Sequence, residues 1–160
     1  MLQLLTSVGP FIAGCVAMYV VLPISYLLTL ALALPTGALL IRVFIVQHDC
    51  GHGAFFRQRL ANDWTGRIIG VLTLTPYDHW RRSHARHHAS SGDLTHRGHG
   101  DVGVLTVDEY LGRSRWGRLR YRLYRNPFVM FVFGSSFLFA LRYRFTIGTP
   151  RTWRRERRSI

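Results

Sequence analysis

The stretch that decides the fold is Leu39-Leu40-Ile41-Arg42-Val43-Phe44-Ile45-Val46-Gln47-His48-Asp49-Cys50-Gly51-His52-Gly53, where a long apolar run ends in paired histidines. Toward the N-terminus, the residues from Leu2 to Gln47 carry one charge, Arg42. A run of that length far exceeds the ~20 residues that cross a bilayer once. As helix, at about 1.5 Å per residue, it reaches roughly 69 Å, enough for two crossings and a short turn. Residues 4–21 make a first span and 26–47 a second. Pro23 between them suits a tight connection that tolerates a missing N–H, and Pro35 is expected to kink the second span. A secretory signal would be shorter, with a basic start, and Met1-Leu2-Gln3-Leu4 offers none. The expected fold class is all-α, an integral membrane protein built on a two-helix transmembrane hairpin.

Net charge is +13, with 21 basic and 8 acidic residues, and every basic residue is Arg. Such an excess often marks nucleic-acid binding. Here the arginines flank apolar spans, where the positive-inside rule and anionic headgroups account for them. The expected partner is therefore a membrane and no nucleic acid. Arg42, Arg57, Arg59 and Arg67 put the His48 end of the hairpin on the cytoplasmic side. Cys15 and Cys50 form neither a disulfide framework nor a paired-Cys zinc motif.

Toward the C-terminus, residues 48–125 read as a cytoplasmic helical loop carrying histidine clusters. Residues 67–76 are apolar but too short to cross, so they suggest an interfacial or re-entrant segment ended by Pro76. Tyr77 to Ser90 has good helix formers and no breaker, and Ser90-Ser91-Gly92-Asp93 marks a turn. The stretch from His96 to Gly103 carries three glycines and reads as loop. Val107 to Arg125 predicts one amphipathic helix in the headgroup region, with Tyr110, Trp116, Leu119 and Leu123 set among six arginines. After Asn126-Pro127, residues 127–141 form a third apolar run that can span only partially.

The helical stretch holds a second cluster, His84-Ala85-Arg86-His87-His88. On a helix, side chains four apart diverge by about 40° and those three apart by about 60°. His48 and His52 therefore share one face, as do His84, His87 and His88, whereas Asp49 is turned about 100° from His48. A lone membrane histidine is usually a packed residue, but five in this spacing predict a metal site. Imidazole suits zinc, copper, nickel and iron, and no thiolate cluster pulls the choice elsewhere. A structural zinc needs only four ligands, so five histidines on two helices fit a dinuclear site better. Arg81, Arg82 and Arg86 disfavour imidazolium and so favour coordination, besides being suited to lipid phosphates.

His-x-x-x-His at 48–52 and His-x-x-His-His at 84–88 sit in a distinctive text. It runs Gln47 to Gly53, Phe55-Phe56, Thr73-Leu74-Thr75-Pro76-Tyr77-Asp78, Trp80-Arg81-Arg82 and Ser91-Gly92. From about residue 10 onward the chain resembles the membrane fatty-acid desaturases, close to the bacterial omega or delta-12 acyl-lipid enzymes, with histidine boxes one and two. The resemblance implies that 1–160 is a partial desaturase domain. It also implies a centre of two non-haem iron ions, with dioxygen as cosubstrate, and His48, His52, His84, His87 and His88 as ligands. Such enzymes introduce a cis double bond into a fatty acyl lipid or acyl thioester, using electrons from a ferredoxin or cytochrome b5-type donor.

The family's third box, another His-x-x-His-His, has no counterpart here, because no histidine follows His99. The expectation is an N-terminal portion, inactive alone. His79, about 140° from His84 on the helix, is expected in a supporting or surface role, and His96 and His99 as solvated loop residues. Rival readings are a related di-iron hydroxylase or carotenoid oxygenase, and a non-catalytic metal-binding membrane fragment. A metalloprotease reading of His48-Asp49-x-x-His52 leaves the second cluster without a task. A metal transporter would place charged or histidine side chains within the spans, and no Asp, Glu, Lys, Arg or His lies between Leu2 and Ile41.

Overall fold

The first two helices turn their apolar side chains outward and their small polar ones inward. This is seen in a computed structural model that describes residues 2–97 and 102–160. Helix α1 runs Leu2–Val21 and α2 runs Tyr26–His52. On α2 the buried positions include Thr29, Thr36, Val43 and Cys50, seven residues apart, while Leu27, Leu34 and Ile41 on the same period are 78%, 78% and 64% exposed. A core helix of a soluble protein would show the reverse, so this polarity fits a lipid surround, where close packing of small residues joins helices. Gly14 of α1 meets Thr36 of α2 so closely that an added Cβ would lie 2.6 Å from its Oγ1. Among the described residues, α1 and α2 are the two helices long and apolar enough to cross a membrane.

The chain divides into two units, Met1–Tyr77 and Asp78–Ile160. In the first, the expected turn at Pro23 is present, with the Ile24 and Ser25 amides bonding back to Val21. Ser25 then caps α2 by accepting from the Leu28 amide at 3.3 Å. The second helix continues five residues beyond the expected end at Gln47. It stops where Gly53, at φ 70°, closes it with its N–H on the Asp49 and Cys50 carbonyls. Helix α3, Arg59–Leu72, begins well before the expected interfacial segment at 67. It buries Asn62, Asp63, Gly66, Ile69 and Gly70 and exposes Leu60, Trp64, Ile68 and Val71 in one stripe. Asn62 pins the preceding loop, donating to the Phe56 carbonyl at 2.7 Å and accepting its amide at 3.0 Å.

The second unit holds α4 (Tyr77–Ser90) from Asp78 onward, α5 (Val107–Leu111), α6 (Arg115–Tyr124) and α7 (Arg154–Ser159). The single helix expected over 107–125 is two. Gly112 interrupts it, and Ser114 starts a new helix by accepting from the Gly117 amide at 3.1 Å. The apolar run 127–141 contains two π-helical stretches, Val129–Gly134 and Phe137–Leu141. The Ser135 hydroxyl between them bonds back to the Phe131 carbonyl, a local competitor for the helical ladder. Arg155 and Asp78 pair at 2.9 Å, as do Arg82 and Glu156, so α7 is tied to the start of α4. Trp153, 8% exposed, lies under the Arg82 guanidinium, 4.2 Å from its ring centre, with Arg86 at 5.3 Å.

Candidate metal centre

His48 and His52 occupy the last turn of α2 because Gly53, not the apolar run, ends that helix. Their rings meet edge to face with centres 4.6 Å apart, and their ligand nitrogens lie within 4.8 Å of one another. His48 is half-buried and His52 exposed. Asp49 stays outside this pair, as its rotation predicts, yet its carboxylate lies 3.3 Å from His48 Nδ1. That contact favours the tautomer with the proton on Nδ1, which leaves Nε2 as a metal donor.

Two buried polar contacts hold this turn. The Tyr77 hydroxyl donates to the Cys50 carbonyl at 2.9 Å, between the two histidines. The Thr73 hydroxyl donates to Gln47 Oε1 at 2.6 Å, and Gln47 is 0% exposed. Sequence reasoning passed over both, because a hydroxyl partner 26 or 27 residues away leaves no periodic signal.

On α4, His84 and His88 bring their Nε2 atoms to 3.0 Å. That spacing suits an N–H···N hydrogen bond, and equally two adjacent nitrogens on one metal with bonds of about 2.1 Å. The His87 ring centre stands 6.0 Å from that of His84 and 5.6 Å from that of His88, so it shares the face at a greater distance. Trp80, one turn earlier, stacks on His84 at 4.7 Å with planes 15° apart, which fixes the imidazole's orientation. The i,i+4 rule applied to Trp80 would have found that contact. The donors are nitrogen-only, a set that iron accepts, and the residues present fit such a metal.

Two further described histidines, His79 and His96, lie elsewhere in the second unit. His79 is buried, with its ring beside Tyr143 and Trp153 and Nε2 3.2 Å from the Thr149 hydroxyl. Burial and the nearby Arg142 hold its imidazole below the usual value, opposed by Glu156. Its place is structural, not at the surface. His96 is exposed and pairs with Asp93 at 2.7 Å, as a solvated loop residue would. Hydrogen bonds from Thr95 and His96 hold the Asp93 carboxyl well below the carboxylate range. His99 lies outside the described residues.

Compared with known proteins, residues 23–160 match the fatty acid desaturase family. The chain belongs to that family. It is 48% identical over 145 residues to a fatty acid desaturase of Bacillus subtilis, covering 91% of this chain and 41% of that protein. An sn-1 acyl-lipid omega-3 desaturase (ferredoxin) of Synechocystis is 43% identical over 58 residues, 36% of this chain and 16% of the relative. An oleoyl-12-hydroxylase of Ricinus communis is 40% identical over 76 residues, 48% of this chain and 20% of the relative. The matched part of the chain thus spans less than half the length of each of these relatives. No solved structure matches it.

Proposed function

We propose that this chain carries part of the metal centre of an oxygen-dependent fatty-acyl desaturase, with His48, His52, His84, His87 and His88 as ligands of a non-haem di-iron site. The observation that carries the proposal is the pairing of imidazoles one helical turn apart at His48/His52 and again at His84/His88. When bound, the irons would supply the oxygen chemistry that removes hydrogens from two adjacent methylenes to leave a cis double bond. The chain's own residues hold and orient. Asp49 sets the His48 tautomer, Trp80 fixes the His84 ring plane, and the Tyr77–Cys50 bond keeps the last turn of α2 wound.

The outward apolar faces of α1 and α2 suit an acyl chain that stays in lipid, as a fatty acyl lipid or acyl thioester would. Charge asymmetry supports the cytoplasmic face for the His48 end, and the similarity to the Bacillus subtilis relative supports a bacterial inner membrane. The Synechocystis relative, named as a ferredoxin enzyme, supports a ferredoxin as donor, with a cytochrome b5-type protein as the other candidate. A hydroxylase is the second reading, favoured by the similarity to the Ricinus oleoyl-12-hydroxylase.

The test is iron content and Mössbauer spectroscopy of the purified chain loaded anaerobically with ferrous iron, beside His52→Ala and His84→Ala. Coupled iron lost in either variant supports the centre. Iron held no more tightly than by a variant lacking all five histidines sinks it. Fatty-acid analysis of cells expressing this chain joined to a downstream segment that carries a third His-x-x-His-His box, wild type against His84→Ala, then separates a new double bond from a new hydroxyl group.

A further inference from the structure

The division of the expected 107–125 helix changes which face of its second half is free. On α6 the tyrosine side is occupied. The Tyr121 ring centre lies 5.8 Å from that of Tyr110, the Tyr121 hydroxyl accepts the Leu105 amide at 3.2 Å, and the Tyr124 hydroxyl accepts the Gly103 amide at 3.1 Å. Arg122 also turns to that side, donating from Nε to the Tyr110 hydroxyl at 2.7 Å. The opposite stripe is Trp116, Leu119 and Leu123, which are 75%, 43% and 54% exposed. At about 100° per residue these three fall within a narrow sector, and Arg115 and Arg120 stand about 40° outside its two edges. Both arginines are exposed, and residues 113–125 contain six arginines and no acidic residue.

We propose that this stripe of α6 is a membrane dock for anionic phospholipids. Trp116, Leu119 and Leu123 enter the upper acyl region, and Arg115 and Arg120 hold headgroup phosphates. An exposed Trp–Leu stripe bracketed by cations on both edges matches a layered interface, apolar below and negatively charged at the level of the guanidinium groups. An acidic protein would complement the arginines but would leave the stripe needing an apolar pocket as well. A chain with two candidate spans has a bilayer surface always at hand. The proposal rests on those spans and on α6, independently of the iron reading.

The experiment uses the whole chain reconstituted in vesicles of phosphatidylcholine, with or without phosphatidylglycerol. Some of the phospholipid carries bromine near the top of the acyl chain. The Trp116 signal is the difference between wild type and Trp116→Phe, a substitution at an exposed site. Bromine quenching of that signal is expected with phosphatidylglycerol and should be weak without it. Arg115→Gln with Arg120→Gln should lower the docked-to-undocked ratio about tenfold or more, given the attraction of each basic residue to an anionic surface. Far-UV circular dichroism should stay unchanged in that double variant. Equal quenching with and without phosphatidylglycerol, or none in either, overturns the proposal. So does a Trp116 that iodide reaches in vesicles but that an added acidic ferredoxin shields, since the face would then be a protein dock.

Discussion

The Tyr77 hydroxyl lies 2.9 Å from the backbone carbonyl of Cys50 and donates to it, closing the helical turn that carries His48 and His52. Tyr77 is 2% exposed, and its ring occupies the space that a side chain at Gly66 would fill. One residue therefore packs α3 and hydrogen-bonds α2. Its sequence neighbour Asp78 begins the second unit.

Tyr77→Phe should keep the ring packing and lose the hydrogen bond. The Cys50 carbonyl retains the Gly53 amide at 3.0 Å, so the expected cost is about 1 kcal/mol, at the low end for a buried partner. Tyr77→Ala also empties the ring site and should cost roughly 3–5 kcal/mol. Thermal unfolding in a mild detergent would measure both. A Phe variant as damaged as the Ala variant would show that the hydroxyl, not the ring, holds the site.

Gly66→Ala should be destabilising by roughly 1–3 kcal/mol, because the new methyl would overlap the Tyr77 ring and force it to shift. Gly37→Ala is the control. Nothing lies within 4 Å of a Cβ there, and alanine is the better helix former by up to about 1 kcal/mol. Opposite signs for two glycine substitutions in neighbouring helices are the expected result of the same unfolding measurement.

Among the described residues, Thr73→Val removes the one hydrogen bond to the Gln47 side chain, whose Nε2 is already buried without a partner there. Leaving both ends of a buried amide unsatisfied should cost about 1–3 kcal/mol. The double variant Gln47→Leu, Thr73→Val replaces both partners by apolar groups and should recover most of that loss. A double-mutant cycle on unfolding free energies measures the coupling. Simple additivity of the two single changes would refute a paired role.

His79 predicts a pH response of the second unit. Its folded pKa is lowered, by burial first and then by Arg142. Above the ordinary value of 6.5 the residue is neutral in both states and the shift contributes nothing. As pH falls below it, the unfolded chain takes a proton that the folded chain resists, so stability declines through that window. Glu156 has a lowered folded pKa too. Burial would raise it, but the hydrogen bond and charge of Arg82 prevail, so its loss of stability begins only near 4.5 and below. Unfolding midpoints between pH 7 and pH 5 should fall in wild type and flatten in His79→Gln, with the more acidic decline kept.

Much of the candidate site was legible because it is local. His48/His52 and His84/His88 meet through helical periodicity alone, and the Gly53 cap that keeps the first pair on α2 is a single residue's backbone preference. The apolar stretch 26–47 likewise reads as a span from length and missing charge. Less legible were the helix boundaries further on. Gly112 and Ser114 split α5 from α6, and Ser135 lies between the π-helical turns at 129–141, because short polar contacts outweigh a continuous apolar pattern there.

By itself the sequence determined the two apolar helices, the phase of the histidines on their helices, and the cationic character of the loop. Each of these depends on residues within one or two turns of one another. Only the tertiary structure decided that Tyr77 reaches Cys50, that Thr73 reaches Gln47, and that His79 is buried against Thr149 instead of solvated. Those pairs are 26 to 70 residues apart in the chain, and close packing alone brings their polar atoms within hydrogen-bonding range.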